Sequence, residues 1–368
     1  MKPIKLIIKT KSETYPILIG PNIIKNLDKY LKLNHINFNQ CLLVIDKKIP
    51  NRMISKVTKS LKTKKISKFL FNANEKNKSQ KYVNLILEIL LKKNFSRHDC
   101  LITIGGGITG DVGGFAASIF KRGLQFINLP STLLAQVDSS IGGKTGINTK
   151  QGKNLIGSFC QPKMVISDTN FLKTLPQREI ICGYGEILKH SLISNKFFYN
   201  YLNNNTSKIL DLRSPFLEKA IYQSCKIKKA FVEKDETEKN IRKILNFGHT
   251  FAHAYEASLG YSNKLNHGEA VILGINSALN FSLKNKLIKK QEHKNILDHL
   301  KKFNLPSDIK RYFSKKDINK IVHFMIKDKK NFSNKVNLIL LKKIGSAIID
   351  HEYNISKIKN FIKNELSN

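Results

Sequence analysis

Leu101-Ile102-Thr103-Ile104-Gly105-Gly106-Gly107-Ile108-Thr109-Gly110-Asp111 is the stretch that decides the fold class of this chain. An uninterrupted run of apolar and β-branched residues enters three consecutive glycines. This is the pattern of a buried strand running into a tight turn. The small apolar residues 112–119 then read as a helix packed close to that strand. Glycines allow close backbone approach, and the free N–H groups of a helix start attract anions, so such a turn can hold a pyrophosphate. The letters match G-x-G-x-x-G. The usual dinucleotide fingerprint, however, lies in the first strand–helix–strand unit and is followed about twenty residues later by an acid. Residues 125–136 contain none. Asp46, closing an earlier strand, is the better ribose or adenine partner. A purely structural turn is the other reading of these glycines.

Outward from this turn, residues 41–45, 66–71, 126–129 and 164–167 read as further buried strands, with a helix at 84–92. Residues 4–8 and 15–19 form a hairpin-like apolar pair. The alternation implies an α/β domain with a mainly parallel, Rossmann-like sheet. Beyond it the pattern changes to long amphipathic segments at 179–194, 216–234, 251–259, 269–283 and 290–302. We place the boundary at Leu175-Pro176, since proline readily opens a helix. The expected layout is an α/β domain over 1–175 and a mainly α-helical domain over 176–368, with the active site in the cleft between them. Residues 336–341 fit either a late strand or a buried helical turn, and no internal repeat is visible.

The 368 residues suffice for two cores. No apolar run reaches the length a membrane span needs, and lysines break up the apolar start of the chain too early for a signal peptide. Five cysteines without a Cys-x-x-Cys pair suit a reducing compartment, so the expected location is the cytoplasm. The formal charge of +37 raises nucleic-acid binding as a different class of function. Against it, only seven of the 64 basic residues are arginine, and lysine is spread evenly along the chain. A nucleic-acid surface would concentrate charge in a patch, with arginine forks and interleaved aromatics. We therefore expect no nucleic-acid partner and read the charge as a lysine-biased composition.

Two further constellations carry chemistry. Asp138-Ser139-Ser140-Ile141-Gly142-Gly143-Lys144-Thr145-Gly146 and Gly152-Lys153-Asn154 frame lysines with glycines, a pattern suited to anion capture. Gly143-Lys144-Thr145 resembles the end of a P-loop, but Ser139 stands where that motif needs glycine. His249 and His253 share a helical face at i and i+4, His267-Gly268-Glu269 follows a loop, and Glu186 lies upstream with Lys189 one turn along. Three ligands of the His/Glu type with one open position make a catalytic metal site. Spacing alone leaves His249/His253 and His249/His267 both open, and helix caps or satisfied core histidines are the plainer alternative.

Taken together with Gly105–Asp111, the stretches Val137-Asp138-Ser139-Ser140-Ile141-Gly142-Gly143-Lys144-Thr145, Gly152-Lys153-Asn154-Leu155-Ile156-Gly157, Leu172-Lys173-Thr174-Leu175-Pro176, Asn246-Phe247-Gly248-His249-Thr250 and His267-Gly268-Glu269-Ala270-Val271 closely resemble the 3-dehydroquinate synthases, of the sugar phosphate cyclase superfamily. The resemblance runs from Asp46 to Lys330. It implies conversion of 3-deoxy-D-arabino-heptulosonate 7-phosphate to 3-dehydroquinate and phosphate with NAD and a divalent metal, zinc or cobalt, in a homodimer. It implies Glu186, His249 and His267 as metal ligands, which frees His253 for acid–base work beside Lys144, Lys189 and Glu238. Substrate-binding matches are Arg122, Asp138, Lys144, Asn154, Lys189, Lys228, Arg242 and Asn246, with Arg242 and Lys228 suited to the carboxylate and Lys144 and Asn154 to the phosphate end. Arg122 matches a residue that reaches the phosphate across the dimer. For NAD the matches are Asp46, Glu75, Lys78, Gly106, Gly107, Ile108, Asp111, Ser131, Thr132, Lys144, Lys153, Phe171, Leu172, Lys173 and Thr174. The chain departs from the family where Ala73-Asn74-Glu75 replaces Asp-Gly-Glu and where Tyr184-Gly185 replaces Leu-Ala before the metal glutamate. The loop before His267 is also one residue longer.

Overall fold

Near-continuous apolar runs belong to strands covered on both faces, and the structure, a computed structural model, bears this out for residues 41–45, 101–104, 126–129 and 164–167, whereas 66–71, read as buried, is a largely uncovered strand at the sheet edge. It describes residues 2–327 and 335–367, so the end of the resemblance at Lys330 lies outside the described residues. The chain divides into two compact units, Met1–Pro176 with Leu217–Thr237, and Gln177–Phe216 with Glu238–Asn368. In chain order the first unit holds β1 (Ile4–Lys9), β2 (Thr14–Gly20), α1 (Leu27–Leu33), β3 (Gln40–Asp46), α2 (Asn51–Ser60), β4 (Lys65–Phe71), α3 (Gln80–Lys92), β5 (Cys100–Gly105), α4 (Gly107–Ile119), β6 (Gln125–Pro130), β7 (Lys144–Thr149), β8 (Gly152–Phe159) and β9 (Met164–Asp168). The chain continues with α5 (Gln177–Ser194), α6 (Lys196–Leu210), α7 (Phe216–Lys234), α8 (His249–Ser258), α9 (His267–Lys284), α10 (Lys290–Lys302), α11 (Ile318–Lys327), β10 (Lys335–Lys343), β11 (Ser346–Asn354) and α12 (Ile355–Glu365).

Seven strands form one sheet in the order β1-β2-β9-β6-β5-β3-β4, all pairs parallel except β1 with β2. Side chains alternate between its faces. Leu43, Ile45, Ile102 and Ile104 pack with residues of α1 and α2, while Leu42, Val44 and Leu101 pack with residues of α3 and α4. Each such fully buried aliphatic contributes roughly 1.5–3 kcal/mol of transfer free energy. The strand order reverses at β3 and β5: the chain runs outward from β3 to β4, then returns to β5 and proceeds through β6. Ligands in open parallel sheets bind at such a switch point, beyond the carboxyl ends of the strands.

Two expectations change here. Residues 144–159, which take in the glycine-framed lysines and were given no strand in the sequence, pair as an antiparallel ribbon, β7 with β8, and Ala135–Ser139 before it forms a π-helical turn. Helix α7 belongs with the sheet unit: Lys228 donates to Asp138, Thr169 to Glu218, and the Lys9 amide to Glu233. In the second unit, α8 and α5 both pack on α9. Residues 336–341 are strand, paired in β10 with β11. No helix among the described residues is long and apolar enough to cross a membrane.

Candidate active site

Two of the candidate metal ligands, His249 and His267, open helices, and glycines fix where those helices begin. Gly248 caps α8 with φ at 79°, in the left-handed region, and a Cβ there would lie 2.8 Å from the backbone nitrogen of Ile275. His249 follows as the first residue of α8. His267 starts α9, whose N-cap Asn266 forms a capping box with Glu269. Arg178 holds that helix start in place, gripping Glu269 through Nε at 2.7 Å and Nη2 at 2.6 Å, and donating to the carbonyls of Asn263 and Lys264 in the preceding loop. Glu186 and Lys189 face inward from α5, both buried and ion-paired with each other.

Ligand atoms of Glu186, His249 and His267 lie within 4.8 Å of one another. The Nε2 of His249 is 3.5 Å and that of His267 4.0 Å from Oε1 of Glu186. The other ring nitrogens settle the tautomers. Nδ1 of His249 is 3.2 Å from the Phe247 carbonyl, which can only accept, and Nδ1 of His267 is 2.8 Å from the Glu256 carboxylate. Both Nδ1 atoms therefore carry hydrogen, and the Nε2 of each ring is turned toward Glu186. Burial, reinforced by the Lys189 ammonium, pushes the His249 pKa down to about 4, so this ring is neutral at pH 7. Two imidazoles and a carboxylate suit zinc or cobalt and leave a coordination position open.

His253 is half-buried, its ring 5.4 Å from that of His249 and 6.1 Å from that of His267. Its spacing also brings it into a possible set with Glu256 and His267. Glu256, however, is already the acceptor for His267 Nδ1, the arrangement in which a carboxylate supports a metal-ligating histidine. Sequence reasoning missed Glu256, although positions 249, 253 and 256 are i, i+4 and i+7 on one face of α8. In the segment leading to His249, Asn246 donates to Glu238 at 2.9 Å, and the buried Arg242 places Nε 3.8 Å from the same carboxylate. Tyr184, the departure beside Glu186, is fully buried and bonds Thr206 at 2.7 Å and His299 at 2.9 Å.

In the sheet unit the NAD candidates gather at the carboxyl ends of adjacent strands. Asp46 ends β3, Glu75 and Lys78 follow β4, Gly106 and Gly107 follow β5, and Ser131 and Thr132 follow β6. Phe171, Leu172, Lys173 and Thr174 form a 3-10 turn after β9, with Phe171 and Leu172 buried. Ile45 pairs with Ile104, so Asp46 stands across the switch point from the glycine turn. Gly106 is the N-cap of α4, whose first amides are free of intrahelical partners. A Cβ on Gly107 would lie 2.9 Å from the Ser139 hydroxyl, so a side chain there would crowd the start of α4. Ile108 sits in the first turn of α4 and packs on the core behind it.

A polar network lines up beside this turn. Lys78, buried, bonds Asp111 and Asn154 at 2.5 Å each. Burial pushes the Asp111 carboxyl pKa up, and the Lys78 ammonium opposes that shift. Glu75 meets Lys153 at 3.3 Å and accepts from Asn148 at 2.8 Å, while Asn148 also accepts from the Asn154 amide. Asn148 was not singled out in the sequence, because its place in the β7–β8 ribbon was not legible. Ala73 stands where the family has its acid, and Asn74, in the glycine's place, accepts from the Asn77 amide at 2.9 Å and closes the turn that presents Glu75 and Lys78. Lys228 holds the Asp138 carboxylate at 2.7 Å. Lys144 is exposed at the start of β7. Arg122 is exposed too, with φ at 65°, and no hydrogen bond or ion pair joins it to the other candidates among the described residues.

Residues 68–182 match the family described as 3-dehydroquinate synthase N-terminal, and residues 183–331 the one described as 3-dehydroquinate synthase C-terminal. A 3-dehydroquinate synthase from Pelagibacter ubique (strain HTCC1062) is 62% identical over 364 residues, 99% of each chain. Among solved structures, 2-deoxy-scyllo-inosose synthase complexed with carbaglucose-6-phosphate, NAD+ and Co2+ aligns with a TM-score of 0.88 at 24% identity, over 98% of this chain and 100% of that one. The 2-epi-5-epi-valiolone synthase from Streptomyces hygroscopicus subsp. jinggangensis 5008, with NAD+ and Zn2+ bound, aligns with a TM-score of 0.84 at 21% identity, over 97% and 98% of the two chains. At these identities the two structures bear on the fold.

Proposed function

The chain belongs to the 3-dehydroquinate synthase family, and from that premise we infer that it converts 3-deoxy-D-arabino-heptulosonate 7-phosphate to 3-dehydroquinate and phosphate, a step toward the aromatic amino acids. The reaction sequence is transient oxidation of a substrate hydroxyl, elimination of phosphate, re-reduction, and intramolecular aldol closure. When bound, NAD supplies the hydride acceptor and donor, and a divalent zinc or cobalt ion supplies a Lewis acid for the oxygen of the oxidised carbon.

Glu186, His249 and His267 would hold the metal. Asp46, Glu75, Lys78, Asp111, Lys153 and the Gly106-Gly107 turn would hold NAD, with Ser131, Thr132 and residues 171–174 completing its surroundings. The observation that supports this reading is the pair of Nε2 atoms turned toward one buried carboxylate, each ring oriented by an acceptor on Nδ1. Arg242 and Lys228 suit the substrate carboxylate: both are buried cations, and a guanidinium can grip a carboxylate through two parallel bonds. Lys144 and Asn154 serve the phosphate end. His253, Lys189 and Glu238 would serve proton transfer around the oxidised carbon. We further propose a homodimer in which Arg122 reaches the partner's phosphate site, and a cytoplasmic location. Protein stripped with a chelator and supplied with NAD and the heptulosonate phosphate should release no phosphate, and added Zn2+ or Co2+ should restore release. Equal release before and after stripping would contradict the metal role.

A further inference from the structure

The edge of the sheet opposite the glycine turn carries a cavity of about 720 Å3 that the reaction does not use. Its walls come from the start of β2, from Gln125 at the start of β6, and from the chain just before β3, β5 and β9. Lys5, Arg97 and Lys163 line it against one carboxylate, Glu13. Glu13 is ion-paired with Lys163, so it does not neutralise the other two cations. Lys5 donates at 2.8 Å to the neutral side-chain amide of Asn34, which leaves its charge uncompensated. Arg97 is exposed and makes no hydrogen bond or ion pair among the described residues. Ile7 and Ile36 supply an apolar wall in the same cavity.

A cavity of this size accommodates a metabolite-sized molecule. An unengaged guanidinium beside an uncompensated ammonium selects an oxyanion, which the planar fork can grip with two parallel bonds. We propose that this cavity is a binding site for an organic anion, with a carboxylate or phosphate group held by Arg97 and Lys5 and an apolar body set against Ile7 and Ile36.

Calorimetric titration of the NAD- and metal-loaded protein with phenyl phosphate, benzoate and inorganic phosphate tests this. At least one of the two aromatic anions should bind saturably, with affinity reduced about tenfold in Arg97→Ala and in Lys5→Ala, the loss expected for one charge-assisted hydrogen bond. Which of the two binds tighter identifies the preferred head group, and inorganic phosphate, lacking the apolar body, should bind more weakly than phenyl phosphate. Both variants should keep the wild-type unfolding midpoint and kcat, since both side chains are exposed and lie outside the active site. Absence of saturable binding, or equal affinity in wild type and both variants, would overturn the proposal.

Discussion

Which nitrogen of each histidine faces Glu186 decides what the site can hold. His249 and His267 present Nε2 because Phe247 and Glu256 occupy Nδ1. His249→Ala should therefore lose Co2+ binding and activity together, whereas His253→Ala should keep the visible Co2+ absorption and lose turnover. The reverse pattern would reassign the ligands. The depressed pKa of His249, about 4 against an ordinary 6.5, also has a thermodynamic sign. Between these values the unfolded chain binds the proton that the folded chain refuses, so stability rises with pH across that window and falls as pH drops through it. The full effect is on the order of 3 kcal/mol. Thermal unfolding of the metal-free protein from pH 7 to pH 4 should show this loss, and His249→Ala should flatten it. Spacing alone offered His249, His253 and His267 and the family resemblance chose His249 and His267; spacing could not choose because the acceptors that orient the rings are a neighbouring carbonyl and Glu256. The i+7 spacing of Glu256 was there to be read.

Helix starts do the positioning at the next scale. A Cβ on Gly268 would lie 2.3 Å from the Cα of Cys182, so α5 and α9 touch backbone to backbone one residue after His267. Gly268→Ala must push the helices apart. Overpacking of this kind costs typically 1–3 kcal/mol, and metal affinity should fall with it. Thermal unfolding and Co2+ titration would check both, and a variant with wild-type stability and affinity would show that this contact does not set the site. Strands with both faces buried were legible as apolar runs, from residues 41–45 to 164–167. The β7–β8 ribbon was not: much of β8 is exposed, so no buried face imposes an alternating pattern on its sequence. The glycines there are explained by ribbon packing, since a Cβ on Gly157 would lie 2.1 Å from the Thr145 carbonyl oxygen.

For the whole molecule, the change from alternating strands and helices to long amphipathic segments was visible near Pro176, but the return of α7 to the sheet unit was not. Helix α7 carries the same amphipathic pattern as its neighbours, and its assignment rests on long-range bonds such as Lys228 to Asp138. The charge of +37 is carried by a chain whose arginines at 122 and 242 fall on candidate anion-binding positions. The central claim is that one site oxidises, eliminates and re-reduces without consuming its NAD. The most direct measurement follows phosphate, 3-dehydroquinate and NADH absorbance together during many turnovers of the metal-loaded protein on the heptulosonate phosphate. The account predicts phosphate and 3-dehydroquinate accumulating one for one with no net NADH; NADH building up without phosphate release would contradict it.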